Sequence, residues 1–282
     1  NVTEEKISGS LDIKDPNFRY SGNSVNFGFS VASTDRTATT GYETETTAFN
    51  FGTSFEHYEN VYLSPSLSLT YEDIVAEATA SENIKKMDGT YLNSDLGYAI
   101  TWDRRDQRYK PTDGYRATFR QSLPLIQDSS SVMNGFDITG YNDFSEDVIG
   151  SLKFYTRSIH GVDDDVRLTN RLFMPTKRLR GFVRGKVGPK DGTDWIGGNY
   201  AAALNAEAAL PNLLPESYKT DFNLFFDAGN VWDVDYSSTL NESNKIRSSV
   251  GLGANVFTMI GPLSFVLAQD ITRAETDKTE TF

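Results

Sequence analysis

The side chains able to do covalent chemistry are few and scattered. His57 and His160 lie far apart, and neither sits in a ligand-like spacing. Each therefore reads as an interfacial or loop residue in preference to a metal ligand. The chain has no cysteine, which removes thiolate nucleophiles, thiolate metal sites and disulfides. No Gly-x-Ser-x-Gly elbow, His-Glu-x-x-His helix, phosphate-binding Gly-rich loop or dinucleotide fingerprint occurs. Carboxylates are plentiful, but the run Asp163-Asp164-Asp165 reads as a solvated acidic loop before it reads as a divalent-cation site. With 27 basic and 39 acidic residues the formal charge is -12. Phosphate backbones need a basic face, so no nucleic-acid partner is expected. The expectation is a protein that is not an enzyme, holds no metal or cofactor, and acts by non-covalent recognition.

The elements that carry these residues are strands. Hydrophobic residues make up 38% of the chain and aromatics 12%, a pairing that suits strands with one apolar face and aromatic girdles. The apolar runs fall far short of the roughly 20 residues a membrane-crossing helix needs. The dominant signal is a period of two, which sends successive side chains to opposite faces. Ile7, Gly9, Leu11 and Ile13 alternate with Lys6, Ser8, Ser10, Asp12 and Lys14. Val25, Phe27, Phe29 and Val31 alternate with Asn26, Gly28, Ser30 and Ala32. Val61, Leu63, Leu67, Leu69 and Tyr71 alternate with Ser64, Ser66, Ser68 and Thr70. Weaker versions span 43–56, 90–101, 114–122, 135–144, 150–159, 198–210, 221–231, 246–257 and 261–271, about twelve strands in all. The apolar members of each alternation are expected to face lipid.

The connections sort by side. Short Pro-, Asn- or Asp-rich turns at 16–23, 60, 111–113, 145–147, 211–220 and 258–260 fall at every second junction. The junctions between them, 34–42, 72–89, 123–134, 160–197 and 232–245, are mostly longer and polar. Outer-membrane barrels alternate short periplasmic turns with longer external loops in this way. The fold class expected is all-β, an antiparallel transmembrane β-barrel. Much the longest connection, 160–197, contains Leu172, Phe173, Leu179, Phe182, Val187 and Trp195. Disorder selects against such aromatics, so the segment is expected to be ordered and to pack inside the lumen.

Within that segment, Leu179-Arg180-Gly181-Phe182, then Val187-Gly188-Pro189-Lys190-Asp191 and Gly197-Gly198-Asn199, resembles the sixth extracellular loop of the BamA family of outer-membrane assembly factors. The likeness continues through Leu204-Asn205-Ala206-Glu207, the stretch Phe225-Phe226-Asp227-Ala228-Gly229-Asn230-Val231-Trp232, Lys245-Ile246-Arg247-Ser248-Ser249-Val250-Gly251 and Gly261-Pro262-Leu263. Pro111-Thr112-Asp113-Gly114-Tyr115-Arg116 is similar to the family's turn after its central strands. The resemblance implies that the loop folds back into the barrel and that Arg180 meets Glu207 and Asp227 on the inner wall. A planar guanidinium suits carboxylates, and neither acid is tolerable facing lipid. Two unrelated carboxylates solvated in a wet lumen remain the alternative. One Arg against two acids would leave a net negative charge needing further donors or water. Gly181 is expected to let the backbone turn tightly. Phe182 is expected either to anchor the tip on the inner wall or to rest on some nearby apolar surface. Lys190 and Asp191 are open between a solvated turn and a specific contact.

The resemblance further implies assembly and insertion of β-barrel proteins into the bacterial outer membrane. Unfolded barrel clients, outer-membrane lipid and lipopolysaccharide, and accessory assembly lipoproteins are the partners it implies. A two-partner-type secretion pore and a passive porin-like channel are the alternatives. Family barrels have about sixteen strands. Residues 1–282 are accordingly read as a partial barrel domain, truncated at both ends and without POTRA modules. No signal segment opens the chain at Asn1. Thr276 to Phe282 reads as the approach to a further strand.

Overall fold

The computed structural model describes every residue except 1–4, 129, 146–147, 212–213, 216–218, 236–239, 241–243 and 259–260. In chain order the strands are β1 (Glu5–Asp15), β2 (Ser24–Asp35), β3 (Tyr42–Tyr58), β4 (Val61–Ala76), β5 (Gly89–Asp103), β6 (Gly114–Gln127), β7 (Ser131–Ser145) and β8 (Val148–Gly161). They continue with the two-residue pieces β9 (Lys190–Asp191) and β10 (Asp194–Trp195), then β11 (Tyr200–Ala209), β12 (Thr220–Trp232), β13 (Arg247–Thr258) and β14 (Gly261–Thr272). One-turn helices α1 (Thr37–Thr40) and α2 (Glu82–Lys85) lie in the β2–β3 and β4–β5 connections. Twelve strands form one antiparallel meander in sequence order, with β8 paired directly to β11; β9 and β10 form a separate ribbon. Each of the twelve runs read from periodicity is one of these strands.

Side-chain size explains the local pairing. On the outer face Phe27 pairs with Phe51 and Phe29 with Phe49, the latter rings 4.8 Å apart, while Phe51 pairs onward with Leu67. Aromatic and branched pairs of this kind are what stabilise neighbouring strands. The inner face carries Asn26 opposite Gly52 and Gly28 opposite Asn50, small and polar as a wet lumen requires. Phe27, Val31, Leu67 and Leu69 are exposed on the outside, as the alternation predicts.

The connections differ from the reading by length. The strands run further than the alternation shows, so the β6–β7 connection shrinks to 128–130 instead of 123–134. The turn read at 111–113 extends over 104–113, where Asp106 accepts from the Thr112 and Asp113 amides. Ladder hydrogen bonds continue beyond the point where a strand leaves the hydrocarbon and stops alternating, so periodicity under-reads strand ends. The turns read at 145–147 and 258–260 lie mostly outside the described residues, and those at 211–220 and 232–245 partly so.

The core lies in the lumen, where segment 162–199 packs. One apolar cluster joins Leu172, Met174, Leu179, Phe182 and Val187 of the segment to Tyr155 and Ile159 of β8, Ala201 and Ala203 of β11, and Val231 of β12. A second joins Leu168 and Ile196 to Tyr42 of β3, Ile74 of β4 and Ile84 of α2.

Candidate functional site in the lumen

The site is built from one inward row across four strands. Lys153 of β8 is opposite Asn205 of β11, Asn205 is opposite Asp227 of β12, and Asp227 is opposite Ser249 of β13. The adjacent inward row carries Glu207, Phe225 and Gly251. A period of two places Glu207 beside Asn205 and Phe225 beside Asp227 on the same face. Gly251 makes room: a Cβ there would lie 2.5 Å from the Phe225 ring and 2.1 Å from the Leu267 carbonyl oxygen. With Gly251 the Phe225 ring lies flat enough to serve as a floor, and the Arg180 guanidinium rests over it at 3.6 Å.

Arg180 enters this floor from the loop. Its Nε donates to Asp227 Oδ2 at 2.8 Å and its Nη2 to Asp227 Oδ1 at 2.7 Å, a two-bond fork. Its backbone N–H also donates to Asp227 Oδ2, at 3.1 Å, and Asn205 Nδ2 donates to Oδ1 at 2.8 Å. A carboxylate offers about four acceptor positions, and Asp227, wholly buried, has all of them occupied. Arg180 Nη1 meets Glu207 Oε1 at 2.9 Å. Glu207 is also paired with Lys153 of β8. The Ser249 hydroxyl donates to the Arg180 carbonyl at 2.5 Å.

Arg180, Glu207 and Asp227 are thus brought together, but the net negative charge expected from them is corrected. Lys153 supplies the second cation, so two carboxylates face two cations. Lys153 lies in a distant strand whose alignment with β11 nothing local encodes. Gly181 adopts φ 86°, the left-handed region where a Cβ is strained. Phe182 is 2% exposed and belongs to the apolar cluster on the β8–β11–β12 wall. Lys190 lies 4.4 Å over the Trp195 ring, and Asp191 accepts from Asn83 at 3.0 Å. Both therefore make specific contacts.

Other arginines of the segment also reach carboxylates, two on the wall and one, Asp235, in the β12–β13 connection. Arg178 Nη2 donates to Asp137 of β7 at 3.0 Å, and Arg120 of β6 and Arg157 of β8 reach the same carboxyl. Arg171 meets Asp235 at 3.3 Å, and Arg167 meets Glu72 of β4. Residues after β14 join the loop as well. Val183 N–H donates to the Lys278 carbonyl at 2.9 Å and Glu280 N–H to the Gly181 carbonyl at 3.0 Å, while Phe182 bridges Thr279. Asp277 there is clasped by Arg247 at 2.8 and 3.1 Å, both side chains fully buried. The stretch read as the approach to a further strand therefore lies against the loop. Asn205 and Arg247 both fall inside motifs that carry the family likeness, yet no role could be assigned to either without their partners.

His160 packs edge-on against Tyr200, which stacks on Trp232 at 5.7 Å. This is an aromatic cluster at the loop ends of β8, β11 and β12, the place where amphipathic rings gather at a membrane interface. His57 lies between Phe55 and Tyr58 at the opposite end of β3.

Comparisons with known proteins converge on the same architecture. Over 235 residues the chain is 27% identical to the outer membrane protein assembly factor BamA of Neorickettsia risticii, covering 81% of this chain and 32% of that protein. It is 29% identical over 192 residues to a SAM50-like protein of Schizosaccharomyces pombe, covering 62% of this chain and 39% of that one. The chain thus spans roughly a third of the length of the curated relatives it matches. Among solved structures, BamA of Haemophilus ducreyi superposes over 98% of this chain and 60% of that one, with TM-score 0.84 and 21% identity. CdiB of Acinetobacter baumannii superposes over 98% and 49%, with TM-score 0.61 and 12% identity. At those identities the superpositions speak for the fold alone, an all-β barrel wall. The Omp85 superfamily domain model matches residues 1–282, and the chain is a bacterial outer-membrane β-barrel chain belonging to that superfamily.

Proposed function

We propose that this chain is the barrel portion of an insertase that assembles β-barrel proteins into the bacterial outer membrane. The observation that carries the reading is the long loop pinned inside the lumen by Arg180 between Asp227 and Glu207. It is joined to the likeness with an outer membrane protein assembly factor at 27% identity. The lumen of this barrel is crossed by an ordered, ion-paired segment, which suits a protein that works at its wall more than one that conducts freely through its bore.

In this reading the protein is not an enzyme and needs no cofactor. Its clients are unfolded outer-membrane barrel chains, recognised through backbone hydrogen bonding at a sheet edge with little demand on sequence. Outer-membrane lipid and lipopolysaccharide surround its apolar face, and accessory assembly lipoproteins are expected partners. Residues 1–282 belong to one barrel domain.

The test is depletion of the full-length protein, followed by quantitation of several unrelated outer-membrane barrels and of ion conductance in planar bilayers. A coordinate fall in many barrels with little steady conductance is expected. Loss of one secreted client with the other barrels intact would replace this reading with a two-partner secretion pore, and sustained conductance with a passive channel.

A further inference from the structure

We infer that the long loop is a two-ended strut, and that Arg167 with Glu72 forms a second anchor which fixes the span of the barrel mouth. The Arg180 site holds the loop to β11, β12 and β13. Thirteen positions earlier the same segment is held to a different part of the sheet. Arg167, 3% exposed, meets Glu72 of β4 at 3.5 Å and lies 4.3 Å over the ring of Tyr91 of β5. Thr169 Oγ1 donates to Glu72 Oε2 at 2.9 Å and accepts from Arg167 Nε at 3.2 Å, so the three side chains close a small ring. The Leu168 amide donates to Met87 Sδ at 3.1 Å. Its side chain, 1% exposed, enters the apolar cluster with Tyr42 and Ile74.

From β4 to β12 the sheet takes six inter-strand steps, through β5, β6, β7, β8 and β11. Laid flat, six steps at about 4.8 Å would separate the two strands by about 29 Å. Residues 167 to 180, with two short 3-10 turns between them, are tied at both ends, so the walls are held at the distance this segment allows. Backbone pairing sets the spacing of neighbouring strands but leaves the curvature of a long sheet soft. A cross-lumen tie is what fixes it. Arg167 is therefore a positioning residue, acting on mouth width through β4. The inference concerns barrel geometry and holds whichever client reading is correct.

The chain carries no cysteine, so spin labels can be placed without background in it. In the full-length protein, with any cysteine elsewhere replaced, Val75 on β4 and Ile246 before β13 are both exposed sites for such labels. Double electron–electron resonance in lipid nanodiscs then reads the span. The unsubstituted pair should give one narrow distance distribution. Arg167→Ala and Glu72→Gln should each at least double its width, and the double variant should do no more than the single ones, as members of one contact behave. Arg180→Ala should widen it too, since a strut fails at either end. If Arg167→Ala does not fold, Arg167→Lys and Glu72→Gln carry the same test with the charge or the volume kept. A purely local role would lower the stability of the 166–170 segment without moving the Val75–Ile246 distance. An unchanged distribution in the folded variants would overturn the inference.

Discussion

The two ends of the loop are held by the same kinds of groups and yet differ in completeness. At Arg180 the carboxylate of Asp227 is filled by four donors, Glu207 has two cations, and the guanidinium has an aromatic floor. At Arg167 a single carboxylate lies 3.5 Å away, and Nη1 is buried without a hydrogen-bond partner among the described residues. There the docking combines apolar burial of Leu168 with the Arg167–Thr169–Glu72 ring. A saturated ion network resists opening because every lost bond leaves a desolvated group, whereas an apolar dock with a loose ion pair gives way more readily. The difference makes the Arg167 end the one from which the strut releases first.

The largest effect is expected from Arg180→Ala. It strips the fully buried Asp227 of its main partner, and breaking a buried pair from one side costs about 3–5 kcal/mol. Amide exchange across 178–187 in full-length protein should accelerate accordingly, with Arg180→Lys recovering part of the protection because charge returns without the planar fork. Protection unchanged in Arg180→Ala would erase the contrast between the ends.

Next comes Leu168→Ala. Truncating this 1%-exposed side chain should cost about 2–3 kcal/mol in docking of the 166–170 segment while leaving 178–187 protected. A cost at that end greater than that of Arg180→Ala at its own would reverse the ranking.

Glu207→Gln should cost about 1–2 kcal/mol, since the amide oxygen still accepts from one of Arg180 and Lys153, without charge assistance, while its NH2 faces the other cation and cannot accept from it. Asp227→Asn should cost distinctly more, because the two-bond fork, the Arg180 amide and Asn205 all point at its oxygens. Equal losses in the two variants, read by the same exchange experiment, would mean that burial and donor count do not separate the acids.

The smallest effect concerns the loop tip. Burial raises the carboxyl of Asp194 above the usual acid value, outweighing the hydrogen bond from Thr193. A raised value in the docked state means that docking favours the protonated form. The tip therefore holds best at acidic pH and loses stability as the pH rises through the docked-state value. Asp194→Asn should remove that dependence. A protease-nicking rate at 189–196 that stays pH-dependent in Asp194→Asn would assign the effect to another group.

Much of this protein was legible locally. Twelve strands and their outer faces follow from a period of two, because alternation is imposed on each strand by the lipid and water it separates. The loop's aromatic content marked it as ordered, and the family likeness marked Arg180, Gly181 and Phe182 within it together with Glu207 and Asp227. What the tertiary structure decided is which residues share a row. Lys153, Asn205, Asp227 and Ser249 come from four strands, and their alignment is set by inter-strand register that no single segment contains. The same holds for Arg167 and Glu72, one on the loop and the other on β4, and for Arg247 with Asp277. A sequence specifies the face on which a charged side chain lies, and the hydrogen-bond ladder and sheet curvature choose the charge it meets.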